Sequence, residues 1–316
     1  MSTDVGVSWV LLGMFALLAA SVAAASQFRR FRQSQMQRFW DRVGLPMGTD
    51  EINTSVARRL HRSDTAQWLG GLAGTLVAAT VLLLTPTPGP IFGFSWLVVL
   101  PAFIIGMSTF DVALALRDSL FTKREDSPRM ARAAAVDAAD YMSPWRRATA
   151  PLLLALAVAL DVTVLAMGAA GKVNGGAFLQ SMALPFLVLA LVVATGSKLV
   201  SQRMLQQPQP VSDPLELAWD DALRADTFRK LGQLSAGLAW LALAAAGLGL
   251  AEAIDPSHTS SLWSPYGELA ISWGFIAIVM FFGYGGAYNY FRHRLWTNTA
   301  FAATTQGPAP STPYQP

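Results

Sequence analysis

Long apolar runs, separated by short polar and charged segments, dominate this chain. Seven of these runs are about 20 residues long, the length that lets an α-helix cross the hydrocarbon core of a bilayer. They cover residues 5–25, 68–84, 91–116, 149–170, 178–200, 231–251 and 271–291. The pattern predicts an all-α, polytopic transmembrane helical bundle with seven spans, whose main surroundings are the lipid bilayer.

Composition supports burial in lipid over a large soluble core. Only 14% of the 316 residues are charged and 53% are hydrophobic, whereas soluble domains average about 25% charged residues. The chain has no cysteine, which excludes disulfides and thiolate-bound metals. The three histidines, His61, His258 and His293, are far apart and lie outside the apolar runs. No metal site and no cofactor are therefore expected.

Basic residues predict the orientation of the spans. Of the 23 Lys and Arg residues, all but Lys172 lie in segments 26–67, 117–149 and 198–230 or in the tail after residue 291. Because basic loops stay in the cytoplasm, the N-terminus is predicted outside and the C-terminus in the cytoplasm. The excess of Arg over Lys and the abundance of Ala are typical of a GC-rich bacterial genome, which indicates a bacterial cytoplasmic membrane.

Three segments are predicted along the chain. Residues 1–46 hold the first span and a basic cytoplasmic linker. This span lacks the basic residues that precede the apolar core of a signal peptide, and Asp4 stands there instead. It is therefore predicted to be an uncleaved anchor. Residues 47–301 form the transmembrane domain, and residues 302–316, with four prolines, are predicted to be a disordered tail.

The chain repeats a short pattern at the entrance to two of its spans. Residues 62–72 and 224–234 share six of eleven aligned positions, among them Arg, Asp and Thr of an Arg-x-Asp-Thr motif. A third and weaker copy is expected at Trp145, which leads into the fourth span. The spacing indicates one structural unit that is used three times.

Helix signals precede each copy. Asp213 and Pro214 are suited to the N-cap and the first turn of a helix, and Ser127 and Pro128 begin the middle copy in the same way. The predicted architecture is one anchor helix followed by three units. Each unit consists of a cytoplasmic amphipathic helix and a two-span hairpin.

One segment carries a resemblance to known sequences. The stretch from Trp219 to Asp226, which reads Trp-Asp-Asp-Ala-Leu-Arg-Ala-Asp, is followed directly by an apolar span. In this it resembles uncharacterised multi-pass membrane proteins of actinobacteria. The resemblance implies a membrane protein and carries no activity, since that group has no assigned function.

Two carboxylates inside the apolar runs are the candidate functional residues. Asp161 lies about 14 residues beyond Arg147, roughly 20 Å from the cytoplasmic end of its span at 1.5 Å per residue. A carboxylate at that depth is costly and must face protein or water. It could hold a proton or cation, or it could be a structural residue that bonds to Thr163 or to another helix. Asp111 could bind a cation, or pair with Arg117 or Lys198 at the interface.

Charged residues before the sixth span form a second candidate site. The pairs Asp220 with Arg224, and Asp226 with Lys230, have the i,i+4 spacing that stabilises a helix by a few tenths of a kcal/mol. Together with Asp221, this face could dock a cytoplasmic or membrane protein partner. The alternative is a structural role, in which the repeated motif fixes the angle at which each hairpin enters the membrane.

The sequence contains no signature of a known enzyme. It lacks a phosphate-binding Gly-x-x-x-x-Gly-Lys-Ser/Thr loop and a His-Glu-x-x-His zinc motif, and nothing indicates a nucleic-acid partner. Two functions stay open. The first is a non-catalytic scaffold or accessory subunit that presents cytoplasmic helices to a partner. The second is a small-solute or ion transporter with Asp161 as its coupling site.

Overall fold

The computed structural model of the chain describes residues 3–46, 48–84, 92–121, 136–207, 214–254, 265–284 and 286–296. Every regular element in these ranges is helical. The helices are α1 (Thr3–Ala25), α2 (Arg29–Val43), α3 (Asp50–Leu84), α4 (Phe92–Phe121), α5 (Ala138–Tyr141), α6 (Pro144–Ala169), α7 (Gly175–Gln180), α8 (Ala183–Gln206), α9 (Pro214–Ile254), α10 (Pro265–Gly283) and α11 (Tyr290–Leu295). The all-α prediction is confirmed. The helix starts predicted at Ser127 and Asp213 and the predicted tail 302–316 lie outside the described residues.

Five of these helices are long and apolar enough to cross a membrane, namely α3, α4, α6, α8 and α9. Large apolar side chains lie exposed along α6 and α8, including Leu152, Val162, Val188 and Val192. Aliphatic surface of this extent is stable against lipid but not against water. The chain is therefore a membrane protein.

The structure changes two predicted boundaries. In α3 and α9 the amphipathic segment and the apolar span form one continuous helix, because no Pro or Gly separates them. The seventh predicted run extends to residue 291, but α10 ends at Gly283. There Arg146 donates hydrogen bonds to the carbonyl oxygens of Phe281 and Tyr284, at 3.0 and 2.9 Å. These bonds satisfy carbonyls that a helix end leaves free.

Helix α9 occupies the centre of the molecule. It is in contact with α4, α6, α8 and α10, and residues on all its sides are buried, from Leu217 near its start to Ala253 near its end. The small residues Ala242 and Ala246 are fully buried along this helix. They allow the neighbouring helices to approach closely.

Helices α3 and α4 pack closely against each other through glycine residues. A Cβ atom built on Gly70 would lie 2.2 Å from the carbonyl oxygen of Gly106, and one on Gly74 would lie 2.1 Å from that of Ala102. Only glycine fits at such distances, since the backbones themselves are in contact. The Gly70-x-x-x-Gly74 pattern is therefore a helix-packing motif in this protein. Helix α1 packs against both members of this pair.

Candidate functional site: a charged network at the start of α9

The first six turns of α9 carry a network of buried charges. At its centre is Lys230, whose Nζ lies 2.6 Å from Oδ2 of Asp111 on α4 and 2.8 Å from Oδ2 of Asp226. The same Nζ donates a hydrogen bond to the hydroxyl of Ser63 on α3, at 2.9 Å. Asp111 is only 1% exposed. One ammonium group therefore connects three helices and neutralises a buried carboxylate.

Helix α3 completes the set of bonds around Asp111. The Ser63 hydroxyl donates to Oδ1, and the amide of Gln67 donates to Oδ2 at 2.8 Å. Both oxygens of this buried carboxylate are thus hydrogen-bonded as well as paired with Lys230, which is the condition under which a buried charge is tolerated. The expected partners of Asp111, Arg117 and Lys198, are not the ones it uses, because its side chain points inward to α9.

Arg229 extends the network to the far side of α9. Its guanidinium contacts Oδ1 of Asp226 through Nη2 at 2.8 Å and through Nε at 3.1 Å. It also donates to Gln233 at 3.3 Å and to the carbonyl oxygen of Phe282 at 3.4 Å, and lies 4.6 Å from the centre of the Tyr288 ring. Asp226 therefore has two cationic partners, and the segment after α10 is held against α9.

A second group of contacts surrounds the preceding turn of α9. Arg224 contacts Asp220 at 3.1 Å and donates to the carbonyl oxygens of Met204 and Gln207 at 3.2 Å each. It thereby caps the end of α8. Arg59 of α3 lies 3.8 Å from the other oxygen of Asp220. Both predicted i,i+4 pairs, Asp220 with Arg224 and Asp226 with Lys230, are confirmed.

Asp221 lies on the opposite face and has no exposed surface. Its carboxylate accepts hydrogen bonds from the hydroxyl of Tyr141 and from the indole of Trp296, each at 3.0 Å. The Tyr141 ring in turn stacks on Phe228 with ring centres 5.2 Å apart. The four predicted docking residues, Asp220, Asp221, Arg224 and Asp226, thus all make contacts inside the chain. The expectation that Asp221 faces a partner is corrected by its burial.

The contacts also give the relative direction of α3 and α9. Arg59 contacts Asp220, and Ser63, one turn further along α3, contacts Lys230, almost three turns further along α9. The two helices therefore run in the same direction where they meet. A small cavity of about 20 Å³ lies in this contact, with room for about one water molecule. Its polar lining consists of Arg59, Ser63, Asp111, Asp226, Thr227 and Lys230.

Asp161 lies apart from this network, on the buried side of α6. The side chain is 2% exposed, and neither carboxylate oxygen has a hydrogen-bond partner in the described part of the chain. The expected bond to Thr163 is absent, because that hydroxyl donates to the backbone carbonyl of Ala159 at 2.7 Å. Ala157 and Val164, on the same face of α6, are fully buried. Asp161 thus faces protein rather than lipid.

This placement predicts an unusual response to substitution. Because Asp161 makes no hydrogen bond to lose, Asp161→Leu should raise the free energy of unfolding, by about 1–3 kcal/mol, the penalty of an unsatisfied buried polar group. Asp161→Asn keeps a polar group at this position and should leave the free energy of unfolding unchanged. Thermal unfolding of the purified protein in detergent measures both. A loss of stability in Asp161→Leu would show that the carboxyl group has a bonding partner after all.

The network includes residues that the sequence analysis did not single out. The i,i+4 spacing indicates only the partner of Lys230 within α9, and no local pattern indicates Ser63 or Gln67. The signal that points to them is the repeat itself, since Ser63 lies within the Arg-x-Asp-Thr motif of α3 and Lys230 lies three residues after that of α9. The two copies of the motif meet in space.

Comparison of the chain with protein-family models, with characterised proteins and with solved structures finds no match. The function proposed below is therefore based on the geometry of the network and of Asp161.

Proposed function

We propose that the chain is a non-catalytic membrane protein that serves as a scaffold or accessory subunit for a partner protein. The charged network carries this proposal. Within the network, Asp111 and Asp226 are carboxylates that an ion carrier could use, but Lys230 and Arg229 of the same chain already neutralise them. Because these cations cannot leave, the carboxylates act as fixed charges that tie α9 to α3 and α4. A rigid frame is what a scaffold requires.

The proposed arrangement in the membrane has seven spans, with α1 and α10 added to the five long apolar helices. Helix α1 is 23 residues long and packs on α3 and α4. Helix α10 is 19 residues long and packs on α9 and α4. The basic residues support an N-terminus outside and a C-terminus in the cytoplasm of a bacterial cytoplasmic membrane. The resemblance to actinobacterial membrane proteins is consistent with this location.

The proposed three-unit repeat has two supporting observations. Helices α3 and α9 both join a polar first half to an apolar second half without a break, and they run in the same direction where they meet. In the middle unit, the short helix α5 precedes α6, and Pro144 begins α6. Proline is suited to a first helical turn because it has no N–H to leave unpaired. From residue 136 onward, where the structure describes the middle unit, Pro144 separates α5 from α6, whereas no proline interrupts α3 or α9.

Reporter fusions test the proposed topology. A reporter that is active only outside the cytoplasm should be active after Pro88, Asn174 or Pro256, and silent after Asp126 or Gln209. The expectation follows from the placement of basic residues. A reporter that must remain in the cytoplasm, fused at the same five positions, is the control and should give the opposite pattern. Activity of the external reporter at Gln209 would contradict the proposed span count.

The surface available to a partner lies on α3 rather than α9. Thr54, Arg58 and Arg62 are exposed and lie one turn apart along the first half of α3. Neither arginine has an ion-pair partner among the described residues. This stripe replaces the charged face of α9 as the proposed docking site for a cytoplasmic or membrane protein partner.

Asp161 supports the second candidate function, a small-solute or ion transporter. A membrane-buried carboxyl group without a hydrogen-bond partner is free to take up a proton or a cation, as coupling residues do. Purified protein in liposomes that contain a pH-sensitive dye separates the two proposals. Under an imposed membrane potential, the scaffold proposal predicts that liposomes with the wild-type protein, with Asp161→Asn and without protein all show the same proton flux. Flux that Asp161→Asn abolishes would overturn the scaffold proposal and establish transport.

A further inference from the structure

Helix α2 lies across the end of the bundle rather than along it. Its axis makes an angle of 94° with that of α1, and only three residues, 26–28, separate the two helices. Gly44 ends α2 in a left-handed conformation with φ of 68°, and its carbonyl oxygen accepts a hydrogen bond from Arg292. The indole of Trp219 donates to the carbonyl oxygen of Pro46 at 3.3 Å. Helix α2 is thus fastened to the bundle at its C-terminal end.

One face of α2 is built into the protein. Phe39 and Val43 are buried, and the Phe39 ring lies 6.4 Å from that of Trp219 and 6.5 Å from that of Tyr288. The guanidinium of Arg42 lies 5.1 Å from the centre of the Tyr288 ring. These contacts hold the C-terminal half of α2 against the protein.

The outward residues of α2 are strongly basic. Arg30, Arg32 and Arg38 are exposed, and none of them has a carboxylate partner in the described ranges. The only acidic residue of α2 is Asp41. Phe28, directly before the helix, is 69% exposed at the end of α1, where a membrane span meets its headgroup region under the proposed topology. Aromatic residues favour this interface.

We infer that the exposed arginines of α2 bind the phosphate groups of anionic lipids in the cytoplasmic leaflet. Arginine suits this ligand, since its planar guanidinium pairs with phosphate oxygens through two parallel hydrogen bonds. The inference rests on the proposed orientation, which places α2 in the cytoplasm. A lipid is favoured over other polyanions because a helix perpendicular to a span and joined to it by three residues is held at the bilayer surface, where the headgroup concentration is highest.

Lipid binding to the full-length protein in detergent tests this inference. Native mass spectrometry at low ionic strength counts bound lipids during titration with dioleoyl-phosphatidylglycerol or with neutral dioleoyl-phosphatidylcholine. The variant Arg30→Gln/Arg32→Gln/Arg38→Gln should lose at least tenfold in phosphatidylglycerol affinity, since each basic residue at such a surface contributes about fivefold. Its phosphatidylcholine binding should not change. Its thermal unfolding should match the wild type, because the three side chains are exposed.

A matched variant removes the same charge elsewhere. Arg117→Gln/Arg147→Gln/Arg203→Gln changes exposed arginines at the ends of α4, α6 and α8 and should keep wild-type affinity. Equal losses in both triple variants would overturn the assignment to α2. Displacement of phosphatidylglycerol by millimolar inorganic phosphate would also overturn the inference, because the site would then bind free phosphate. The same holds if the α2 triple variant loses binding of an added oligonucleotide but keeps its binding of phosphatidylglycerol. Lipid binding in detergent depends neither on the orientation of the protein in the membrane nor on its role as a scaffold. A negative result would therefore contradict the lipid site alone.

Discussion

Lys230→Met should lower the free energy of unfolding by about 3–5 kcal/mol, the usual cost of removing one member of a buried ion pair. The substitution keeps the length of the aliphatic chain but removes the ammonium group that Asp111 contacts at 2.6 Å. Asp111 is then left as a buried charge without a cation. Chemical unfolding in mixed detergent micelles measures the loss. Lys198→Met, at an exposed lysine of α8, is the control and should leave stability unchanged.

A second substitution identifies the cause of that loss. Asp226 keeps Arg229 as a partner at 2.8 Å when Lys230 is removed, whereas Asp111 keeps, among the described residues, only Ser63 and Gln67. Asp111→Asn in the Lys230→Met background should therefore restore part of the lost stability, because it removes the uncompensated charge. Equal stability of Lys230→Met and Lys198→Met would contradict the network as a structural element.

Gly70→Ala/Gly74→Ala should also destabilise the protein, by about 1–3 kcal/mol or more. Each new methyl group would lie little more than 2 Å from a carbonyl oxygen of α4. A backbone atom cannot rotate away as a side chain can, so the two helices must separate. The reduced thermal unfolding temperature of the purified variant measures this effect.

The matched control for this pair is Gly196→Ala/Gly247→Ala. A Cβ atom at either position meets no atom within 4 Å. The control should keep or slightly raise stability, since alanine favours a helix over glycine by about 1 kcal/mol. Loss of stability in both double variants alike would show that the close α3–α4 contact is not the cause.

Local features of the fold could be predicted from the sequence. The length of the apolar runs indicates the spans, because the bilayer sets a length and excludes unpaired backbone groups. The Gly70-x-x-x-Gly74 pattern indicates a helix contact, and the i,i+4 spacing indicates the pairs of Asp220 and Asp226. Each of these signals lies within one helix, where the geometry is regular.

Contacts between helices could not be predicted in the same way. Asp111 was paired with Arg117 or Lys198 by proximity to the interface, but the rotation of α4 turns it to Lys230 on α9. The absence of a partner for Asp161 likewise depends on which faces of α6, α8 and α9 meet. Periodicity fixes which residues share a face but not which helix that face meets. The repeated motif is the one sequence signal for such a contact, since its two copies lie side by side where Ser63 contacts Lys230.

The mass of the native complex tests the scaffold proposal most directly. The tagged chain, expressed at its natural level and extracted with its surrounding lipid into polymer-bounded discs, can be weighed by light scattering and its subunits quantified. The account predicts a second polypeptide in a fixed ratio to the chain, which Arg58→Glu/Arg62→Glu on the exposed stripe of α3 releases. A complex that contains this chain alone would contradict the account.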